Sequence, residues 1–211
     1  MQLLFPRKNG ERSCHSRGFS LIELLITMAV ILVIAALTLP TLQAVRSANL
    51  SRAGSDYASF LQNARVQAVQ NDTYFAVITQ VGPPDNAFID LSAGKTGVFA
   101  NGDPVLVLPS SVRVRSYADN PPALGNLESV SLASSSDQSL NTAGNPTFGS
   151  RGLPCSPNGS VCSALSGAVL GTSYITFFQS EPDGTWLAVV LNPSARIRVY
   201  KYGSGTWFLA Q

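Results

Sequence analysis

Apolar positions change their period twice along the chain. From Phe19 to Leu39 nearly every residue is apolar, interrupted only by Ser20, Glu23, Thr27 and Thr38. A helix of that length spans roughly 31 Å, about one bilayer hydrocarbon core. Past Pro40 the apolar residues thin out and recur at spacings of three and four, or sums of them. Leu42, Val45, Tyr57, Phe60, Leu61, Ala64 and Ala68 form this series, which is the stripe of an amphipathic helix. The pattern predicts one long helix, membrane-spanning over residues 19–39 and amphipathic over 40–72, ending near Asn71. Pro40 removes a backbone donor and is expected to kink or loosen the helix. Gly54 is expected to be a second weak point.

After Asp72 the pattern becomes short β runs between turn signals. "TYFAVIT", "AFIDL", "PVLVL", "VRVRSY", "SYITFFQ", "TWLAVVLN", "ARIRVYKY" and "TWFLAQ" are the predicted strands. The breaks "VGPPDN", "NGDP", "EPDG" and "GSG" are rich in Gly, Pro, Asn and Asp. Residues 73–211 therefore read as an exported antiparallel β-sheet domain crossed by the second half of the helix. The predicted fold class is α+β. Between residues 118 and 149 the composition shifts to Ser, Asn, Pro and Gly, which predicts a flexible, exposed insertion, with a pair of edge strands as the alternative.

Charge gives the chain a direction. Residues 1–18 hold Arg7, Lys8, Arg12 and Arg17 against Glu11, a local +3 within a formal net charge of +2, so residues 19–211 carry −1. Cations ahead of an apolar span keep the leader cytoplasmic and send the rest across an inner membrane, as a single-pass anchor. A cleavable secretory signal would want a shorter apolar core and a small-residue site after it; here the run continues into "LTLPTLQAV". With no overall basic field, nucleic-acid binding would need a local patch.

The single histidine, His15, lies in the leader beside Cys14. Once residues 1–18 are removed, no imidazole remains for a Ser–His–Asp or Cys–His centre or a histidine-ligated metal. The acidic residues are scattered, and "EPDG" (Glu181–Gly184) reads as a hairpin turn rather than a calcium loop. The expectation is no catalytic residues, no metal and no cofactor. Cys155 and Cys162, in "PCSPNGSVC", are close enough to form a disulfide in an oxidising compartment. Two unrelated thiols are the alternative.

Glu23 is the anomaly, since a carboxylate within a bilayer costs a few kcal/mol or more. Its surroundings explain it. "RGFSLIELLI" resembles the class III signal of type IV prepilins and pseudopilins. The resemblance implies cleavage after Gly18 by a prepilin peptidase and N-methylation of the new N-terminal Phe19. Glu23 falls where that family places its glutamate, and Pro40 where many members carry a proline. In the family the glutamate meets the terminal amine of a neighbouring subunit, so the resemblance makes Glu23 an assembly mark. Other pilins or pseudopilins are then partners through the N-terminal helix. A glutamate that merely snorkels to the interface is the alternative.

Within pilin-like proteins, "FLQNARVQAVQNDTYFAVIT" and "TWLAVVLNPSARIRVYKY" resemble the two ends of the GspH/FimT family of minor pilins and pseudopilins. That family often carries a Gly-Arg-x-Arg motif; this chain has Ala195 where the glycine would be, then Arg196, Ile197 and Arg198. The resemblance implies a pilin-like fold and a subunit of a type II secretion pseudopilus or type IV pilus tip. DNA capture for natural transformation is the alternative function. Arg196 and Arg198, two apart on a strand, would point to one face about 6.6 Å apart. Lys201 and the aromatics Tyr200, Tyr202 and Trp207 follow, suiting phosphate contact and base stacking. Arg113 and Arg115 form a second such pair. A solvated strand face is the bland alternative for both.

The cleavage expectation is checked by mass spectrometry of the mature chain. The expected N-terminus is methylated Phe19; a chain beginning at any other residue contradicts the class III reading.

Overall fold

A computed structural model describes residues 20–92, 97–115, 119–123, 127, 145–158, 161–164, 174–181 and 183–210. The side chains of residues 36–44, 157–158, 161 and 163–164 also lie outside the description. The expected leader and most of the insertion fall outside it. The chain divides into two units, Met1–Thr41 and Leu42–Gln211.

One helix, α1 (Leu21–Gln70), supplies residues to both units and is unbroken through Pro40. It begins after Ser20, whose carbonyl accepts from the Glu23 and Leu24 N–H groups at 3.0 and 3.2 Å. In the first unit the described side chains, Ser20 to Ala35, are exposed. Helix α1 ends one residue before the predicted Asn71. The Thr73 N–H bonds to the Ala68 carbonyl and the Asp72 N–H to the Val69 carbonyl. That pair of bonds is the left-handed helix stop, with Asp72 at φ 47°. Asp reaches this conformation more readily than most side chains.

All eight predicted strands are present in the second unit, but they build two antiparallel sheets rather than one. β1 (Phe75–Gln80), β2 (Asn86–Ile89), β3 (Val105–Val107) and β5 (Thr147–Phe148) make a four-stranded sheet in the order β3-β2-β1-β5. β4 (Val112–Arg115), β8 (Tyr174–Ser180), β9 (Trp186–Leu191), β10 (Ile197–Gly203) and β11 (Thr206–Leu209) make a five-stranded sheet in the order β11-β10-β9-β8-β4. β6 (Cys155–Asn158) and β7 (Val161–Ala164) form a separate hairpin. β5 lies within the expected insertion, and β5, β6 and β7 were not predicted. The "EPDG" segment is the β8–β9 turn, with the Gly184 N–H bonded to the Ser180 carbonyl at 2.9 Å.

The second half of α1 covers both sheets. Leu50, Ala53, Tyr57, Leu61, Ala64 and Ala68 are fully buried. They share one core with Val77 and Ile89 of the first sheet and with Val112, Phe178, Leu187 and Val199 of the second. The spacings of three and four match the predicted stripe, though its start differs. Leu50 and Ala53 carry the core, while Val45 is exposed. Tyr57 stacks edge-on against Phe178 and its hydroxyl meets Thr176 Oγ1 at 3.2 Å. Burial pushes that phenol's pKa well above its ordinary value.

The five-stranded sheet has a second core on its other face. Ile175, Phe177, Ala188, Val190, Tyr200 and Trp207 form it together with Leu127. Trp207 donates Nε1–H to the Ala123 carbonyl at 3.2 Å, which fixes the indole.

Gly54 corrects the expectation of a weak point. A β-carbon there would sit 2.7 Å from Leu187 Cδ2 and 3.1 Å from Val199 Cγ1. At the glycine helix and sheet approach closely, and Leu187 is fully buried. Helix propensity alone predicts that Gly54→Ala stabilises by about 1 kcal/mol. Overpacking of this kind costs about 1–3 kcal/mol, so a net loss of stability is expected in chemical denaturation. Leu187→Ala in the same chain should remove the clash and reverse the sign of the Gly54→Ala effect. A stabilising Gly54→Ala in the otherwise unchanged chain would contradict the close approach.

Candidate functional site

The sequence places candidate chemistry at two locations, the N-terminal segment and the arginine-bearing strands. Gly18 and Phe19 lie outside the described residues. Glu23 is in the first turn of α1 and exposed. With Ser20 preceding the helix, Glu23 is its third residue. A carboxylate in the first turn is at the positive end of the helix dipole. The Ser-x-x-Glu spacing is a helix-start signal in its own right. The last four residues of the expected span, 36–39, have no described side chains. Among the described residues no helix is long and apolar enough to cross a membrane.

The predicted grouping of Arg196, Arg198 and Lys201 is divided by the sheet. Arg196 precedes β10 in the β9–β10 turn and is exposed. Its backbone is held by Asn192, whose Oδ1 accepts the Arg196 N–H at 2.9 Å and whose N–H bonds to the Arg196 carbonyl. Arg198 is half-buried within the strand beside Tyr200, Nη1 to hydroxyl 3.5 Å. Lys201 is an odd number of residues from Arg198, so it points to the opposite face. There its ammonium donates to Ser47 Oγ of α1 at 2.6 Å. Tyr202 and Trp207 pack against each other at 5.3 Å between ring centroids. Trp207 is buried in the second core, so its ring is not free to stack on a base.

Arg113 and Arg115 do share a face of β4, as their spacing predicts, with Val112 and Val114 turned into the core. Their charge is already met. Arg113 pairs with Glu181 at 3.3 Å and Asp85 at 3.2 Å, and Arg115 with Glu181 at 3.3 Å. Hydrogen bonds to Glu181 and then Asp85 hold the Arg113 guanidinium pKa above its usual range. Asp85 is fully buried. One of its oxygens accepts the Val114 N–H at 2.7 Å, and the other accepts the Gly82 N–H at 2.8 Å. The network joins the β1–β2 turn of one sheet to β4 of the other; two cations facing two carboxylates leave no net charge for a phosphate.

The turn carrying Arg196 also explains a sequence departure. Ala195 adopts φ 64°, a conformation in which glycine is at ease and a β-carbon is strained. A glycine at this position, as in the arginine motif of the resembled family, would meet the demand without strain. Cys155 and Cys162 are bonded across the β6–β7 hairpin, Cα to Cα 5.5 Å. The neighbouring Cys155 carbonyl accepts the Tyr174 hydroxyl at 2.7 Å. Burial dominates at Tyr174 and pushes its pKa up to about 12. Among the described residues no group of three or more His, Cys, Asp or Glu side chains could hold a metal ion.

Residues 14–39 match the prokaryotic N-terminal methylation motif. No curated protein and no solved structure matches the chain. The matched segment contains Gly18, Phe19 and Glu23 and ends one residue before Pro40. Pilins with this motif are anchored to the membrane through their N-terminal segment. The motif therefore supports a pilin- or pseudopilin-type subunit, processed by prepilin peptidase and assembled with other pilins.

Proposed function

We propose that the chain is a minor pilin or pseudopilin of the GspH/FimT kind, a structural subunit of a type II secretion pseudopilus or type IV pilus tip. The observation that carries the pilin-type part of this reading is the methylation motif at residues 14–39, with Glu23 in the first turn of α1; the GspH/FimT part rests on the resemblance of the helix end and the last strands. In this account residues 1–18 are the removed leader and 19–39 the single inner-membrane span. Residues 40–72 continue the helix, and 73–211 form the periplasmic or filament-exposed domain. The role is structural and non-enzymatic.

The mechanism follows from charge and helix geometry. Cleavage between Gly18 and Phe19 creates a terminal amine close to the start of α1. A carboxylate in the membrane is unfavourable alone and acceptable when a cation meets it. The amine of a neighbouring subunit is that cation, so Glu23 favours insertion of each subunit at one register. The β-domain of the second unit is then the exported part of the subunit. DNA capture is less well supported by the geometry: of Arg196, Arg198 and Lys201, only Arg196 is exposed.

Glu23→Ala tests the mechanism. The variant should insert at least as well as the parent, because an apolar residue replaces a charge in the span. Breaking a buried pair by removing one partner costs about 3–5 kcal/mol, so the chain should be strongly depleted from isolated filaments while remaining in the membrane fraction. Incorporation at the parental level would contradict the role given to Glu23.

A further inference from the structure

The four-stranded sheet ends on an open edge. β3 is its outermost strand, and among the described residues it pairs with β2 alone, Val105 opposite Phe88, Leu106 opposite Ala87 and Val107 opposite Asn86. The Ile89 N–H bonds to the Pro104 carbonyl and the Leu108 N–H to the Asp85 carbonyl, both at 3.0 Å. Bonded pairs alternate in an antiparallel ladder, so Pro104, Leu106 and Leu108 turn their backbone groups toward β2. Those of Val105 and Val107 point off the sheet. On either side of them the outward donors end. The Asp103 N–H is bonded to the Ala100 carbonyl at 3.1 Å, and Pro109 has no N–H. The edge therefore offers two backbone donors, each beside the carbonyl of its own residue.

The side chains on this edge are apolar and exposed. Val105 and Val107 share one face and are 44% and 60% exposed, while Leu106 turns to the other face and packs against the core under α1. Phe99, 48% exposed, extends the patch by stacking edge-on against Phe88, the residue opposite Val105, at 5.7 Å between ring centroids. Proteins blunt such edges with charge or cover, and the other outer strands of the two large sheets follow that rule. β4 carries Arg113 and Arg115. β5 is bridged at Phe148 to Pro154. Trp207 of β11 is bonded to the Ala123 carbonyl and packed with Leu127. β3 carries no charge.

We propose that β3 pairs antiparallel with β3 of a second copy of this chain, Val105 opposite Val107 of the other copy, between chains not yet built into a filament. This register makes four main-chain hydrogen bonds and uses the open donor and carbonyl of both valines in both copies. A slip of two residues either way does not. Val105 opposite itself sets the Val107 carbonyl against the occupied Asp103 N–H, and Val107 opposite itself sets the Val105 carbonyl against Pro109. The four valines then lie on one face and cover each other. Such a pair has a two-fold axis, whereas successive subunits of a helical filament join head to tail, so the contact differs from filament packing. Three residues a side bury far less than the about 1,200–2,000 Å² of a stable interface, so the pair forms where chains are held close together. The membrane anchor of the pilin-type reading holds them so, and to that extent the proposal rests on that reading.

The test uses two differently tagged full-length chains made in the same cells, one with Val105→Cys and the other with Val107→Cys. Directly opposite residues of a bonded pair have Cα atoms about 5.5 Å apart, within reach of a disulfide. The expected result is a disulfide-linked product carrying both tags. Either variant alone should give at least about fivefold less, because its cysteines meet only on the diagonal, about 7–8 Å apart. Ser194→Cys, exposed in the β9–β10 turn, reports chance collision. Adding Val107→Lys to the first chain and Val105→Lys to the second sets two lysines opposite each other and should lower the product at least about fivefold. Val107→Lys in the first chain with Val105→Glu in the second should return it to within about twofold of the parent pair. Both positions are exposed, so the fold should tolerate the changes. A product no greater than that of Ser194→Cys, a single variant that links as well as the mixed pair, indifference to the paired lysines, or a disulfide to another protein would overturn the proposal. With the chain in the membrane fraction, each of these leaves the pilin-type reading standing. Recovery of the chain outside that fraction would remove the reading and the proposal together.

Discussion

The second unit is organised around one apolar stripe, the buried face of α1 from Leu50 to Ala68. The stripe shares one core with residues of both sheets. Each large apolar side chain buried there contributes about 1.5–3 kcal/mol relative to exposure. Gly54 sets how closely the helix can lie on β9 and β10. Asp85 adds a polar tie between the sheets through the Val114 N–H and Arg113. With the stripe facing the core, the opposite side of α1 faces outward, where Val66 and Val69 are exposed.

This arrangement also explains which cations are left for partners. Arg113 and Arg115 looked like a phosphate grip in the sequence, yet they serve the join between sheets. Lys201 is turned toward α1 and bonded to Ser47. Arg46 reaches Asp183 in the β8–β9 turn at 3.1 Å. The fold therefore uses much of its positive charge internally, in a chain whose residues 19–211 sum to −1. A subunit that must pack beside others in an ordered filament gains from this, because fixed charges at few sites define register where diffuse charge would not.

How far the sequence foretold the structure depended on the range of the interaction. Periodicity is local, so the long helix, its end near Asn71 and the eight strands were legible. The second core was signalled more quietly. "SYITFFQ" and "TWLAVVLN" are nearly continuous apolar runs, the pattern of a strand buried on both faces, yet they read only as strands. β5, Thr147–Phe148, is two residues long and held by its pairing with β1, which no local pattern announces. The partners of Arg113 are 28 and 68 residues away in sequence, so the neutralised pair could not be distinguished from an exposed one. For the site, the N-terminal motif was readable because its residues are contiguous. The separation of Arg198 from Lys201 followed from strand alternation; the position of Arg196 in a turn did not.

The central claim is that this chain is a pilin-type subunit whose β-domain is carried on a filament by its N-terminal helix. Immunogold labelling of the β-domain on the native assemblies, viewed by electron microscopy, tests it most directly. The account expects gold on filaments or their tips, and none on filaments from cells lacking the chain. Gold confined to the cell membrane, with filaments present and unlabelled, would contradict it.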